Sequence, residues 1–218
     1  MSWRYALKSY ITNPETVDDG AVIFFNDEVT IIRDSFPKSE CHLLVLPRSK
    51  QLSRGHPTST IDSKFKNNFG PYVDSAINYV FKHFQDKFQV KKSDQDMKTE
   101  WDESVLKNKD IFVNKFLQIG IHSVPSMANL HIHVISRDYH SVRLKNKKHY
   151  NSFNTEFFID WDDLPLNKNT LGKDKDIETK YLKNHDLVCC YCHENFGNKF
   201  SSLKKHLELE FNNHFEFK

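Results

Sequence analysis

The stretch 129–136, NLHIHVIS, does most to restrict the fold. Leu130, Ile132, Val134 and Ile135 are residues of a buried sheet position. His131 and His133 stand two positions apart, so in an extended strand they share one face. Such a strand fits a sheet that packs one face on a core and turns the other toward a site. A lone histidine in a strand is ordinarily a satisfied core or surface residue. Two on one face, with His122 at the end of the preceding apolar run, ask for a chemical reason.

The rest of the chain supplies that sheet. SWRYALKSYI has the apolar spacing of a short helix. AVIFF and VTIIRD are strands separated by a turn at Asn26–Asp27, and CHLLVLP (41–47) is a third strand ended by Pro47. Residues 48–70 are polar and turn-rich. A helix follows Pro71, with Val73, Ile77, Val80, Phe81 and Phe84 on one stripe. The charged, aperiodic stretch 91–103 reads as a surface insert. FVNKFLQIGIH (112–122) and LHIHVIS (130–136) are the fourth and fifth strands. This order predicts an α+β domain with an antiparallel five-stranded sheet and helices on one face. After Phe158 the composition turns polar, with Pro165 and Gly172. The expected division is a domain over 1–158, a connection over 159–180 and a small separate unit over 181–218.

The chain has 218 residues and a formal net charge of +2, with 38% hydrophobic and 28% charged residues, which suits a globular protein. The N-terminus has no apolar signal-peptide core. No stretch approaches the roughly 18 apolar residues of a membrane helix, so no membrane partner is expected. A local basic patch follows the histidine strand, where Arg137, Arg143, Lys145, Lys147 and Lys148 face one acid, Asp138. Cys41 in CHLLVL reads as a small buried hydrophobe.

Cys189, Cys190 and Cys192 form a tight cluster in a chain without a secretory signal, which points to metal rather than disulfides. Cys189 and Cys192 have the C-x-x-C spacing with which two thiolates grip one tetrahedral zinc. Thirteen residues then separate Cys192 from His206 on an expected helix, 201–211. His214 lies two turns beyond His206, about 12 Å along the axis, out of reach of the same ion while the helix continues. Glu210 stands one turn on and offers a carboxylate. The expected ligands are Cys189, Cys192, His206 and Glu210, with His214 as the alternative if the helix breaks at Asn212–Asn213. Cys190 is a bystander. The plain alternative is a chance cysteine cluster beside a solvated helix. A structural zinc makes so short a unit viable. Lys199, Lys204 and Lys205 are compatible with nucleic acid, although lysines on a helix face are usually only solvated charge.

For the histidines, the residues leave metal and phosphate chemistry open. Three imidazoles suit zinc. An imidazole is also a good nucleophile at neutral pH, with neighbouring imidazoles as donors and acids. Lys38 and the basic patch favour phosphate, because few carboxylates stand nearby.

NLHIHVIS resembles the histidine triad motif, in which histidine alternates with apolar residues. Together with GIHSVPSM, RDSFPKSECHLLVLPR and LKNKKHYNSFNTEFF, it makes the chain similar to the aprataxin family of that superfamily, in its fungal type. One departure is plain: the first triad position is Asn129. The resemblance implies removal of AMP from the 5′ phosphate of DNA left by failed ligation. The partner would be DNA with nicks or ends carrying 5′-AMP, and AMP the product. It implies His131 as the nucleophile that forms a covalent histidine–AMP, with no metal at the active site. His133 would hold the His131 tautomer or donate to a phosphoryl oxygen, His122 would protonate the leaving phosphate, and His42 would sit beside the phosphates. Asp34 would bind the ribose hydroxyls, Lys38, Ser126 and Lys148 would neutralise phosphate charge, and Met127 would form a wall. Trp3, followed by Arg4, would stack on the base pair at the DNA end; the plain alternative is a core tryptophan anchoring the helix. Arg143, Lys145 and Lys147 would meet DNA phosphates. A nuclear location is implied, with the cytoplasm as a second location.

Two competing functions are carried forward. One is a small-molecule histidine-triad nucleotide hydrolase or transferase, for which the zinc unit and the basic run have no use. The other is a non-enzymatic zinc-dependent DNA-binding protein, for which His42, His122, His131 and His133 have no use.

Overall fold

The computed structural model describes residues 3–91, 103–166 and 174–218. Residues 92–102 of the expected insert and 167–173 of the expected connection therefore lie outside the described residues. Short helix α1 (Lys8–Thr12) precedes the hairpin β1 (Val22–Phe25) and β2 (Val29–Arg33), then β3 (His42–Pro47). Helices α2 (Lys50–Ser53) and α3 (Pro57–Thr60) lead into α4 (Ser63–Lys87) and β4 (Phe88–Val90). Then come α5 (Ser104–Lys107), α6 (Lys109–Phe116), β5 (Leu117–His122), β6 (Ile132–Ser136), α7 (Lys147–Asn151) and β7 (Phe158–Asp160). The C-terminal part holds α8 (Asp174–Ile177), a π-helical stretch Glu178–Asn184, β8 (Leu187–Val188), β9 (Asn195–Gly197), α9 (Phe200–His214) and β10 (Phe215–Phe217).

The main sheet is antiparallel and has six strands in the order β1-β2-β3-β6-β5-β7, one more than expected. Three residues of β7 pair with the outer edge of β5, too short a run to stand out in the sequence. Ile31, Leu43, Val45, Ile132 and Val134 share one core cluster with the buried stripe of α4. Alternate residues Ile32 and Leu44 belong to a second cluster with Leu7, Tyr10 and Ile11 of the N-terminal segment. His42, His133 and Leu44 lie on this other side of the sheet, since side chains alternate along each strand.

Two helices depart from the expectation. α4 starts eight residues before Pro71 and keeps the proline inside. The Asp62 side chain caps it by accepting Phe65 N–H at 2.7 Å. Phe65 and Phe69 extend the buried stripe Val73–Ala76–Val80–Phe84. Burying two phenylalanines yields about 1.5–3 kcal/mol each, enough to offset the roughly 3 kcal/mol that an interior proline costs. Residues 112–116, expected as the start of the fourth strand, belong instead to α6. Asn108 accepts from Asp110 N at 2.9 Å and Ile111 N at 3.2 Å, and Phe112 and Phe116 bury themselves one turn apart.

The C-terminal part does not stand apart. β10 pairs with β4, and Phe211 and Phe215 belong to the main core with Phe84 and Phe88. Leu187, Cys189, Leu203 and Leu207 share a further cluster with Ile135, Tyr139, Tyr150 and Phe153. Tyr150 OH donates to Val188 O at 2.9 Å and accepts Cys190 N–H at 3.0 Å. Cys41 is buried, as expected.

Gly120 sets the approach of β7 to β5. A Cβ there would stand 2.1 Å from Ile159 O and 2.7 Å from the Phe158 ring, and the first of these is backbone that cannot swing aside. Gly120→Ala should therefore destabilise the chain by about 3 kcal/mol. Urea unfolding of the variant checks this, and an unshifted midpoint would contradict it.

Candidate active site and metal centre

A cavity of about 530 Å³ opens on the face of the sheet away from α4. It is lined by His42, His122, His131 and His133, and by Asp34, Lys38, Ser126, Met127, Lys148 and Trp3. All expected catalytic and nucleotide-binding residues thus meet in one place, from β3, β5, β6, α7 and the loops after β2 and between β5 and β6. A larger cavity of about 960 Å³, bordered by Arg137, Asp160, Tyr181 and Cys190, contains none of these four histidines.

His131 sits just before β6 and is 7% exposed. Its Nδ1 lies 2.8 Å from the carbonyl oxygen of Asn129, which can only accept. Nδ1 therefore carries the proton, and Nε2 keeps the lone pair. Asn129, at the first triad position, meets His131 through its backbone. The residue contributes its backbone carbonyl, while its side-chain Nδ2 turns aside to Ser53 Oγ at 2.8 Å. The tautomer of His131 is thus held by Asn129 and not by His133, one of the two roles expected for that residue.

His133 Nδ1 lies 2.8 Å from His42 Nε2, and His42 Nδ1 lies 3.3 Å from Asp34 Oδ2. Asp34 also accepts Phe36 N–H at 2.8 Å, which fixes the loop carrying Lys38. The ring of His133 stands 4.8 Å from His131 and 4.5 Å from His122. Nε2 of His122 and Nε2 of His133 are buried and have no hydrogen-bond partner among the described residues. Two orphaned imidazole nitrogens beside the His131 ring suit a ligand rich in oxygen acceptors. Burial lowers the pKa of all four histidines, and His42 falls to about 4 despite the opposing pull of Asp34. Burial also lowers that of Lys38, with Asp34 opposing. The imidazoles are therefore neutral at pH 7, as a nucleophile must be.

A pH profile follows. The pKa of His131 is depressed below the ordinary 6.5, so its neutral form persists to lower pH and is lost only as pH falls through the depressed value. The acid limb of kcat/KM should lie below pH 6.5, with a plateau through neutrality. A limb above that value would overturn the burial argument.

Trp3 is 64% exposed at the rim of the cavity, so it is not a core anchor. Arg4, Arg143, Lys145 and Lys147 are not among the cavity residues. Arg143 lies over the Phe36 ring at 5.4 Å, Lys145 N donates to His149 Nδ1 at 3.2 Å, and Lys147 Nζ bonds Asn198. Phe153, which sequence reasoning missed, packs its ring against His42, His122 and His133 at 5.4, 4.8 and 5.2 Å. No spacing signals it, because it reaches the site through the turn after α7.

In the C-terminal part, one donor atom each from Cys189, Cys192, His206 and Glu210 lies within 4.8 Å of the others. Zinc bonds of 2.0–2.3 Å set donors roughly 3.3–3.8 Å apart in a tetrahedron, so the quartet fits the ion after small adjustment. α9 continues unbroken through Asn212–Asn213, which leaves His214 outside the quartet. Cys190 points elsewhere, with Sγ 3.4 Å from Arg137 O.

The comparisons agree with this geometry. A family profile of the HIT domain matches residues 15–140, and one for the C2HE / C2H2 / C2HC zinc-binding finger matches residues 154–213. The chain is 72% identical to an aprataxin-like protein of Saccharomyces cerevisiae over 218 residues, the whole of both chains. A crystal structure of the aprataxin ortholog Hnt3 in complex with DNA matches at TM-score 0.75 and 30% identity, covering 97% of this chain and 96% of that one. A structure of Hnt3 with DNA and guanosine matches at TM-score 0.65 and 29% identity, over 97% of each chain. The chain belongs to the histidine triad family and, within it, to the aprataxin-like proteins with a C-terminal zinc-binding finger.

Proposed function

We propose that the chain is a DNA 5′-adenylate hydrolase that releases AMP and a 5′-phosphate end through a covalent histidine–AMP. The observation that carries this is the fixed tautomer of His131, whose ring lines the cavity with Nε2 as its lone-pair nitrogen. Nε2 attacks the adenylyl phosphorus, and the bond from that phosphorus to the oxygen of the DNA 5′-phosphate breaks, its electron pair leaving with the oxygen. Water then attacks the same phosphorus and the P–N bond breaks. The electron pair of that bond returns to Nε2, which restores neutral His131, and AMP is released with the water's proton lost to solvent. His133 donates Nε2–H to a phosphoryl oxygen. His122 donates to the leaving phosphate; a phosphate monoester has a second pKa of about 6, so at neutral pH a hydrogen bond serves in place of full protonation. Lys38, Ser126 and Lys148 offset the phosphate charge, Asp34 holds the ribose, and Met127 walls the pocket.

Binding to DNA is supported by the exposed Trp3, by Arg4 beside it and by Arg143, Lys145 and Lys147 outside the cavity. Related structures contain DNA, and one also guanosine. Cys189, Cys192, His206 and Glu210 hold one structural zinc in this reading, and the protein acts on chromosomal DNA in the nucleus.

The test is AMP release from a nicked duplex carrying 5′-AMP. Turnover of nucleoside phosphoramidates with no action on the adenylated nick would favour the small-molecule alternative. Trp3→Ala should weaken processing of adenylated DNA by about 5- to 150-fold, the equivalent of about 1–3 kcal/mol of base stacking, and leave an AMP–lysine substrate almost unchanged. Lys148→Ala should impair both substrates. Equal losses on both substrates for Trp3→Ala would reject the stacking role.

A further inference from the structure

His214 has a place of its own beside the metal quartet. It ends α9 one turn beyond Glu210, and its Nε2 lies 3.3 Å from Glu210 Oε2. The other oxygen, Oε1, lies 3.1 Å from Nε2 of His206, inside the quartet. The two oxygens of one carboxylate thus face different partners, the donor set on one side and His214 on the other. The charge balance favours such a contact. Two thiolates and a carboxylate bring three negative charges to an ion with two positive ones, and an N–H donor on the carboxylate offsets part of the excess. His214 also stands at a junction. Its carbonyl accepts Lys91 N–H at 2.9 Å, and the next residue begins β10, which pairs with β4 of the catalytic domain. Its ring lies 5.8 Å from that of Tyr191, in the loop between the two cysteine ligands.

We propose that His214 is a positioning residue of the zinc site. By donating Nε2–H to Glu210 Oε2 it aims Oε1 at the ion, and it ties metal ligation to the seating of the C-terminal strand on the catalytic domain. The proposal rests on the zinc quartet proposed above. Ligating carboxylates are themselves held by hydrogen bonds, and loss of such a partner typically weakens metal binding by about 10- to 100-fold.

The experiment is zinc affinity of the full chain, measured by competition with a chromophoric chelator. His214→Ala should still hold one zinc per chain, about 10- to 100-fold more weakly. His214→Gln keeps an N–H donor and should recover part of the loss. The double variant Glu210→Ala/His214→Ala should bind no more weakly than Glu210→Ala alone, because His214 acts through the carboxylate. Amide exchange gives a second readout. Lys91 N–H and the β10 amides should lose protection when zinc is stripped from the wild type. Unchanged affinity in His214→Ala, or additive losses in the double variant, would overturn the proposal. So would zinc lost from His214→Ala but kept by Glu210→Ala, which would make His214 a ligand. If Cys189→Ser bound zinc like the wild type, the quartet itself would fail, an outcome separate from these.

Discussion

His131→Ala should abolish AMP release from 5′-adenylated DNA, by at least about 10⁴-fold, while the chain still folds and binds DNA. Loss of a nucleophile removes the covalent route altogether, and residual turnover then comes only from binding and the surrounding donors. Neither His122 nor His133 is placed to substitute, because the backbone carbonyl that fixes Nδ1 belongs to the His131 position. The fold should survive because the imidazole borders an existing cavity rather than closed core, and the apolar neighbours Leu130, Ile132 and Val134 are untouched. The control is a substrate labelled in its AMP. The wild type should carry transient acid-labile label on histidine, and the variant none. Near wild-type turnover, or label on another histidine, would defeat the assignment.

Much of this site was legible in the sequence because strands have a strict period of two. Once NLHIHVIS is a strand, His131 and His133 must share a face, and an antiparallel partner ending at His122 must bring its imidazole close. The C-x-x-C pair and the one-turn step from His206 to Glu210 are equally local, so spacing alone selected the quartet that the fold assembles. What stayed hidden depends on distant partners. Residues 109–116 hold β-branched and aromatic side chains that suit a strand, and only the Asn108 cap and the packing of Phe112 and Phe116 on the core make them helical. Pro71 reads as a helix start, since the stripe that outweighs it is sensed only once Phe65 and Phe69 find their core. That Asn129 acts through its backbone carbonyl was not legible, for a different reason. The group that matters is a carbonyl, which every residue type possesses.

The second large effect concerns the metal. Stripping zinc, or replacing Cys189 by serine, should destabilise the whole chain and not only its last residues. A small unit on a flexible connection would unfold alone, and the sequence reads that way. The packing predicts otherwise. Cys189 is fully buried in a cluster with Ile135 of β6 and Tyr150 of α7, and Phe211 meets Phe88 edge-on at 5.4 Å in the main core. His140, two residues from the buried Asp138, stacks on Phe211 at 4.6 Å. Loss of the metal therefore loosens α9 and uncovers the end of the histidine strand itself. A ligand present at a thousand times its Kd contributes about 4 kcal/mol to stability, so urea unfolding should shift by at least that order on chelation. The transition should stay single, and hydrolysis of AMP–lysine should be lost over the same urea range. Glu210→Ala, which lies outside the buried cluster, should shift the curve in the same direction without placing a polar atom in the core. Two separate transitions, with the midpoint for loss of activity unmoved by chelation, would show that the catalytic domain stands without its zinc unit.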